Sequence, residues 1–426
     1  MSTTLLKNVR LFDPGAGVDA DARNVVLDGA AIGSLDASAE VMADRVIDGG
    51  GKLLVPGLVD LRVHACEPGF TSRESIATAA AAAAAGGVTT FVALPTTKPT
   101  VDRVEVVELI LARGRAAGTT RVLPAGALSV GREGERLAEM AKLSAAGCVL
   151  FTDGDRSVKD SQLLRYAMET AGDVGTPIMT HAEDESLSLG GVMHEGLVSA
   201  RLGLSGAPGA AEVVGISRDL AIAELTGSRL HIGHVSTAAG VELIRQAKKR
   251  GIRVTADVSP LHLLLTDEAV LGYDTAAKVF PPLRPRSDVD AVITGLADGT
   301  IDCVASDHNP QIEIEKNVEL DWAAPGATGL ETMLPVMLAL VSDKRLTLER
   351  AITTMTRAPA NVLQRLDLGR LREGGPADLT LIDREVEWRF EQTYSKSRNT
   401  PLLGRRFVGR AALTIAQGVV TYEAPR

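Results

Sequence analysis

Eight short apolar runs alternate with amphipathic stretches between residues 58 and 306. The runs are Leu58–His64, Thr89–Leu94, Val122–Ala127, Cys148–Phe151, Pro177–His181, Leu230–His234, Arg253–Asp257 and Asp302–Ser306. Between them lie stretches with the length of barrel helices, such as Glu74–Ala85, Val104–Ala117, Glu212–Leu225 and Ala239–Lys249. Eight strands with helical crossovers close naturally into a barrel of parallel strands. The sequence therefore predicts an α/β protein with a (β/α)8 barrel of the TIM type.

Strand-like alternation with turn residues also occurs near both ends of the chain. It covers Asn8–Phe12 and Asn24–Asp28 on one side, and Ala377–Ile382 and Leu413–Val420 on the other. Neither end has enough strands to be stable alone, so we expect the two ends to pair. The predicted organisation is a composite β domain from residues 1–54 and 365–426, with the barrel in residues 55–364.

Charge and cysteine content narrow the range of partners and compartments. The net charge of −9 and a pI near 5.4 argue against nucleic acid or an anionic membrane as partner. Cys66, Cys148 and Cys303 form no C-x-x-C pair and leave an odd cysteine, which favours a reducing cytoplasm. The sequence contains neither an apolar export signal at its start nor an uncharged run that could span a bilayer. We expect a cytoplasmic protein that binds small molecules or other proteins.

Polar side chains follow five of the predicted strands. They are His64, Asp153, His181, His234 and Asp307. Functional groups of such barrels gather at the carboxyl ends of the strands. A single histidine there is commonly a hydrogen-bonded core residue, and a single aspartate is commonly a helix cap. Five such positions together indicate a functional site.

Longer motifs link the whole chain to a known family. They are Val-Pro-Gly-Leu-Val-Asp60, Gly86-Gly-Val-Thr-Thr90, Phe151-Thr-Asp153, His181-Ala-Glu-Asp184, Arg218-Asp219, Gly233-His-Val-Ser-Thr237, Lys278-Val-Phe-Pro-Pro-Leu-Arg284, Ala305-Ser-Asp-His308, Gly329-Leu-Glu-Thr332, Ala377-Asp378 and Asn399-Thr-Pro401. In these motifs the chain resembles the dihydroorotase family of the amidohydrolase superfamily. The resemblance implies a pair of metal ions that polarise a cyclic amide and generate hydroxide.

The same resemblance assigns the polar residues at the strand ends. It makes His64 and Asp307 ligands of one metal, His181 and His234 ligands of a second, and Asp153 the bridging carboxylate. It also gives Asp307 the role of moving the proton.

Four positions depart from the family pattern. Arg62 stands where the first histidine of Asp-x-His-x-His belongs, and a guanidinium cannot be a metal ligand. Cys66 replaces the arginine that holds the substrate carboxylate, while Thr96 and Phe280 each replace an asparagine. These changes predict a site that has lost its chemistry, in which Asp307 and the substrate positions Cys66, Thr96 and Phe280 are vestigial.

Two further interpretations concern the remaining polar groups. His308 follows Asp307 as in the family, either as a vestige of substrate contact or as a buried polar residue. Asp153, His181 and His234 match a three-ligand zinc site by residue type, so the prediction is no cofactor or one residual zinc. We further expect Arg62 to turn toward the vacated metal position and neutralise Asp153 or Asp307. The alternative is an Arg62 side chain that points to solvent.

Two functions remain from different classes. The first is a non-catalytic structural subunit in pyrimidine biosynthesis, because the chain is most similar to an inactive dihydroorotase-like subunit. Such a subunit assembles with the aspartate carbamoyltransferase catalytic chain into a large hetero-oligomer. The second is a working cyclic amidohydrolase, acting on dihydroorotate or an altered substrate, with one metal at Asp153, His181 and His234 and with Asp307 as base.

Overall fold

Within residues 2–425, a computed structural model of the chain contains eighteen β-strands in three sheets. In chain order they are β1 (Thr3–Asp13), β2 (Val18–Asp28), β3 (Ala31–Ser34), β4 (Arg45–Asp48), β5 (Leu53–Pro56), β6 (Leu58–Val63), β7 (Val88–Ala93), β8 (Arg121–Gly126), β9 (Leu150–Phe151), β10 (Ile178–Thr180), β11 (Met193–His194), β12 (Gly206–Ala207), β13 (Leu230–Ile232), β14 (Val254–Val258), β15 (Cys303–Val304), β16 (Leu379–Arg389), β17 (Arg406–Ala416) and β18 (Val419–Glu423). Only β11 and β12, which pair with each other, lie outside the two large sheets.

The eight predicted runs form one barrel, built from β6 to β10 and β13 to β15. Each neighbouring pair is parallel, in the order β15-β14-β13-β10-β9-β8-β7-β6. The first and last strands meet where the His64 amide donates to the His308 carbonyl at 2.9 Å. Every residue of β6 and β7 is buried, including the charged Asp60 and Arg62 of β6, as expected for parallel strands that are covered on both faces. The predicted (β/α)8 fold is confirmed.

Helices cover the outside of this barrel and fill its connections. They are α1 (Ile76–Ala85), α2 (Val104–Ala117), α3 (Met140–Ala146), α4 (Ser161–Val174), α5 (Glu185–Ser188), α6 (Leu197–Leu202), α7 (Ala210–Thr226), α8 (Ala238–Lys249), α9 (Pro260–Leu264), α10 (Arg286–Asp298), α11 (Glu313–Lys316), α12 (Met333–Ser342), α13 (Leu348–Met355) and α14 (Arg357–Val362). Ser75 and Thr78 form a capping box that begins α1. None of the helices within residues 2–425 is both long and apolar enough to cross a membrane.

The two ends of the chain form the second large sheet, in the order β18-β17-β16-β5-β1-β2-β3, with β4 beside β1. Strand β5 joins the ends, because it pairs with β1 on one edge and with β16 on the other. The apolar core of this sheet includes Leu6, Leu27, Leu54, Leu379 and Leu413. The predicted β domain from both termini is confirmed, whereas its limits at residues 54 and 365 stay a prediction.

The β domain is attached to the barrel through backbone groups at the start of β7. The Thr380 hydroxyl donates to the Gly87 carbonyl at 2.7 Å, and the Gly57 amide donates to the Asp378 carbonyl at 2.8 Å. Gly87 has φ of 85°, and a Cβ there would approach Thr380 Cγ2 at 2.7 Å. Glycine at this position therefore allows both the turn and the close approach of the two domains.

We predict that Leu54→Ala destabilises the protein by about 2–5 kcal/mol, because it leaves a cavity at the strand that joins both termini. Leu366→Ala is the matched control, since Leu366 is 64% exposed, and we expect a loss below about 0.5 kcal/mol there. Urea unfolding followed by circular dichroism measures both. Equal losses for the two variants would contradict the structural role of Leu54.

Candidate functional site

A cavity of about 520 Å³ opens at the carboxyl ends of the barrel strands. Its lining includes five residues that sequence reasoning singled out at strand ends or beside them: Arg62, His64, His181, His234 and Asp307. Arg62 lies in β6, and the other four residues follow β6, β10, β13 and β15. The barrel therefore brings together positions up to 245 residues apart in the chain. This is the end of the barrel where functional groups of the fold gather.

Arg62 occupies the centre of the group and is completely buried. Its Nε donates to Asp307 Oδ1 at 3.3 Å, and its Nη2 lies 3.1 Å from His234 Nε2. Its Nη1 lies 3.1 Å from the sulfur of Met179. The guanidinium turns into the barrel, toward Asp307 and away from solvent. One cation therefore contacts two residues that the family resemblance assigned to two different metal ions.

The charge of Asp307 depends on this arrangement. Burial by itself would raise the pKa of Asp307, but His234 and Arg62 outweigh burial and lower the pKa well below its usual range. The second carboxylate oxygen lies 3.4 Å from His234 Nδ1, which is long for a hydrogen bond. Asp307 is consequently held as a carboxylate by both neighbours, of which only the Arg62 guanidinium carries a fixed charge.

The two histidines face each other and not a common empty position. His181 Nδ1 lies 2.9 Å from His234 Nε2, and His181 Nε2 lies 2.9 Å from Glu183 Oε2. Burial lowers the pKa of His234, and the nearby Arg62 charge lowers it further. Both effects favour the neutral form of His234. Because a guanidinium only donates, Nε2 of His234 is the acceptor in its contact with Arg62. Both ring nitrogens of His181 are within hydrogen-bond distance of protein partners.

Asp153 does not line the cavity, because neighbouring loop groups hold its carboxylate. One oxygen accepts from the amides of Leu128 at 2.9 Å and Ser129 at 3.1 Å, and the other accepts from the Ser129 hydroxyl at 2.5 Å. Burial raises the pKa of Asp153, and the Ser129 contacts oppose that rise. Asp155 lines the cavity instead and pairs with Arg132. Asp153, which the resemblance makes the carboxylate that bridges two metal ions, therefore holds a loop in place in this structure.

The altered substrate positions surround the same cavity. His64 Nδ1 lies 2.8 Å from the Thr96 hydroxyl, and burial lowers the pKa of His64 to about 4. Cys66 has φ of 59°, and burial raises the pKa of its thiol to about 12, so it is no thiolate nucleophile at neutral pH. Phe280 adds an apolar ring to the lining. His64, Thr96, Cys66 and Phe280 together present no cation to a substrate carboxylate.

His308 lies outside this cavity and is fully buried. Its Nε2 is 3.2 Å from Glu74 Oε2, and its Nδ1 accepts from the Gly329 amide at 3.2 Å. Through these two contacts, His308 links the segment after β15 to the loop before α1 and to the loop before α12. Of the two interpretations given from sequence, the structure places His308 as a buried polar residue.

The fit of a metal ion can be judged from the donors that are present. Within residues 2–425, no three His, Cys, Asp or Glu side chains converge in a way that could hold one. Arg62 places a cation against Asp307 and His234, where a metal would carry its own positive charge. A residual zinc at Asp153, His181 and His234 would require Asp153 to leave its three hydrogen bonds. The residues as arranged do not fit either the metal pair or this single zinc.

The lining residues that sequence reasoning missed include three charged ones, Arg132, Asp155 and Glu183. Asp155 follows Asp153 by two positions, so both lie in the segment after the fourth barrel strand. Glu183 lies inside the quoted motif that starts at His181. Those two could have been found by extending each motif by its neighbouring acidic residue. Arg132 had no comparable signal.

Comparisons with known proteins agree with this architecture. A family model described as dihydro-orotase-like matches residues 51–239. The chain is similar to a protein named dihydroorotase from Anaeromyxobacter dehalogenans (strain 2CP-C), with 47% identity over 97% of this chain and 96% of that one. It is also similar to a dihydroorotase of Geobacter sp. (strain M21), with 42% identity over 99% of both chains.

Among solved structures, the chain resembles the L-hydantoinase (dihydropyrimidinase) from Arthrobacter aurescens. The TM-score is 0.89 at 27% identity, covering all of this chain and 97% of that one. The likeness extends over the barrel and the β domain, so both parts of the molecule belong to one architecture.

We predict that Arg62→Met destabilises the protein by about 3–5 kcal/mol, because it leaves Asp307 buried without its guanidinium. Adding Asp307→Asn to Arg62→Met should recover part of that loss, since the uncompensated charge is then removed. Arg10→Met is the matched control at the exposed Arg10–Asp19 pair, whose side chains are 37% and 51% accessible. We expect a much smaller change there. Urea unfolding measures all four proteins, and no recovery in the double variant would contradict the ion-pair role.

We predict that a chelator leaves the unfolding temperature of the purified protein unchanged, because Arg62 already supplies the buried positive charge. The measurement is thermal unfolding with and without EDTA, together with zinc content by elemental analysis. Anaeromyxobacter dehalogenans dihydroorotase treated in the same way serves as the comparison. A lower unfolding temperature on chelation, with zinc near one per chain before treatment, would overturn this view.

Proposed function

Because the chain belongs to the dihydroorotase-like family of the amidohydrolase superfamily, we propose that it is a member that does not hydrolyse dihydroorotate. We further propose that it serves as a structural subunit with the aspartate carbamoyltransferase catalytic chain in pyrimidine biosynthesis. The two proposals can be tested separately, because a catalytically inactive barrel need not bind that particular partner.

The contact of Arg62 with both Asp307 and His234 carries the first proposal. Asp307 lies 3.3 Å and His234 3.1 Å from guanidinium nitrogens of Arg62. A metal ion next to His234 would lie beside that fixed cation and lose affinity through Coulomb repulsion. Without a metal, water in the cavity keeps its ordinary high pKa and is a poor nucleophile. The amide of the substrate would also lack a Lewis acid.

Substrate recognition supports the same conclusion. Cys66 cannot replace the bidentate contact that an arginine makes with a carboxylate. Losing a charged hydrogen bond removes about 1.5–3 kcal/mol of binding, and Thr96 and Phe280 replace two amide contacts. The loss of the metal site and the loss of substrate contacts therefore both oppose hydrolysis of dihydroorotate.

A structural role is compatible with how the barrel is held together. Its strands and helices share one large apolar cluster, which supplies stability that does not come from a metal ion. Cys66, Cys148 and Cys303 are all free and buried, which supports the proposed cytoplasmic location. The partner rests on the resemblance to non-catalytic subunits and on the loss of active-site residues. The net charge of −9 gives no support to nucleic acid as an alternative partner.

The second candidate is a working cyclic amidohydrolase with dihydroorotate or another substrate. Relatives that share 42% and 47% identity over nearly the whole chain carry the name dihydroorotase. The cavity remains open at about 520 Å³ and keeps His64, His181, His234 and Asp307 in its lining. Such an enzyme would need Asp153 or another donor to move toward His181 before one metal could bind.

A hydrolysis assay separates the two candidates. We expect the purified chain, supplemented with zinc, to convert dihydroorotate no faster than buffer, because Arg62 and Cys66 remove both activation and binding. The dihydroorotase of Anaeromyxobacter dehalogenans is the positive control. Turnover above buffer that Asp307→Asn abolishes would overturn the first proposal and establish the hydrolase. Turnover that survives this substitution would point to a contaminating enzyme.

Complex formation tests the structural role separately. We expect the chain to co-elute with the aspartate carbamoyltransferase catalytic chain of the same organism in size exclusion with light scattering, as one species of defined stoichiometry. Anaeromyxobacter dehalogenans dihydroorotase in place of this chain controls for non-specific association. Separate elution at micromolar concentrations would contradict the subunit proposal, whatever the hydrolysis assay shows.

A further inference from the structure

A second cavity, of about 630 Å³, lies at the end of the barrel opposite the mouth. Its wall includes the first residues of several barrel strands, such as Leu230 of β13 and Val254 of β14. Pro14 and Gly15, from the turn between β1 and β2, contribute from the β domain. The volume is within the range of small-molecule sites. We name this space the basal cavity.

Four arginines from different elements line the basal cavity. Arg229 and Arg253 precede β13 and β14, whereas Arg350 lies in α13 and Arg357 begins α14. The concentration of cations contrasts with the net charge of −9 on the whole chain. Four guanidiniums against the two carboxylates of Asp302 and Glu349 give the lining a net positive charge.

The local carboxylates do not neutralise these arginines. Asp302 already pairs with Lys248 at 2.7 Å and accepts from the Ala256 amide at 2.8 Å. Glu349 lies in the first turn of α13 and is exposed. Arg229 is exposed and Arg357 is half-buried, and among residues 2–425 neither guanidinium has a hydrogen-bond or ion-pair partner in the protein. The cavity therefore contains two positively charged side chains without a partner in the described residues.

Two of the guanidiniums are fixed in place by the fold. Arg350 donates to the carbonyls of Leu296 and Ile301, each at 2.6 Å. Burial lowers the pKa of Arg350, and the charge of Asp302 opposes that change. The Arg357 side chain lies against Gly15, where a Cβ would collide with its Cδ and Nη1. Glycine at position 15 therefore makes the room that the Arg357 guanidinium occupies.

We infer that the basal cavity binds a phosphorylated small molecule, with the phosphate groups between Arg229 and Arg357. Guanidinium groups match phosphate oxygens in pairs, and several of them favour a ligand with more than one negative charge. Pro177, Leu230 and Val362 supply apolar walls beside the cations, which suits a ligand that also carries a ring. The site lies at the opposite end from the mouth, so it is not part of any hydrolytic chemistry. This inference does not depend on the proposed function.

Isothermal titration calorimetry of the full chain with inorganic pyrophosphate and with adenosine triphosphate tests the inference. We expect pyrophosphate to bind, and each of Arg229→Gln and Arg357→Gln to weaken its binding about tenfold, as for the loss of one charged hydrogen bond. Gly15→Ala should weaken binding as well, because its methyl group displaces Arg357 without removing a charge. Arg406→Gln, at an exposed arginine of β17, is the matched control and should leave binding unchanged.

The two probes distinguish the source of the phosphate. If adenosine triphosphate binds more tightly than pyrophosphate, the apolar walls contact the rest of the ligand. If the two bind equally, the cavity is a site for inorganic phosphate. No heat with either probe would overturn the inference, as would binding that the three cavity variants leave intact. Citrate binding as tightly as pyrophosphate would also overturn it, since any polyanion would then suffice. Unfolding temperatures of the free variants establish that each one is folded.

Discussion

The buried guanidinium of Arg62 is the group on which the barrel mouth depends. Burying a single charge costs several kcal/mol unless a partner and hydrogen bonds offset that cost. Here Asp307 supplies the charge at 3.3 Å and His234 supplies a neutral acceptor at 3.1 Å. Removal of either Arg62 or Asp307 would leave the charge of the other buried without a counter-charge. This mutual dependence keeps Arg62 in the position that the family resemblance gives to a metal ligand.

The chemical consequence follows from what a guanidinium lacks. A metal ion and an arginine both neutralise a buried carboxylate, but only the metal has open coordination positions for water and for a carbonyl oxygen. The guanidinium of Arg62 therefore balances the charge of Asp307 but has no coordination position for water or a carbonyl oxygen. The carboxylate of Asp153 also has its partners within the protein, because the Leu128 and Ser129 amides and the Ser129 hydroxyl all donate to it.

Much of the fold could be predicted because its signals are local and repeated. Each barrel strand is a buried apolar run, and α2 occupies the predicted residues Val104–Ala117. The strand-end rule also located His64, His181, His234 and Asp307 in one cavity. The direction of individual side chains could not be predicted in the same way. Asp153 turns toward Ser129, and His308 turns toward Glu74, through contacts 24 and 234 residues distant in the chain. Such contacts depend on the packing of loops, for which a residue pattern carries no signal.

The two ends of the barrel differ in how their charge is balanced. At the mouth, Arg62 faces Asp307, and Arg132 faces Asp155, so each of these cations has a carboxylate partner inside the same cavity. At the base, Arg229 and Arg357 face a space in which Asp302 is already paired with Lys248. An internally paired site attracts an external anion weakly, because binding must first break the existing pair. An unpaired site has no such cost. We therefore infer that this barrel recognises an anion at its base, where the β domain meets the strands, and not at the mouth, where functional groups of the fold gather.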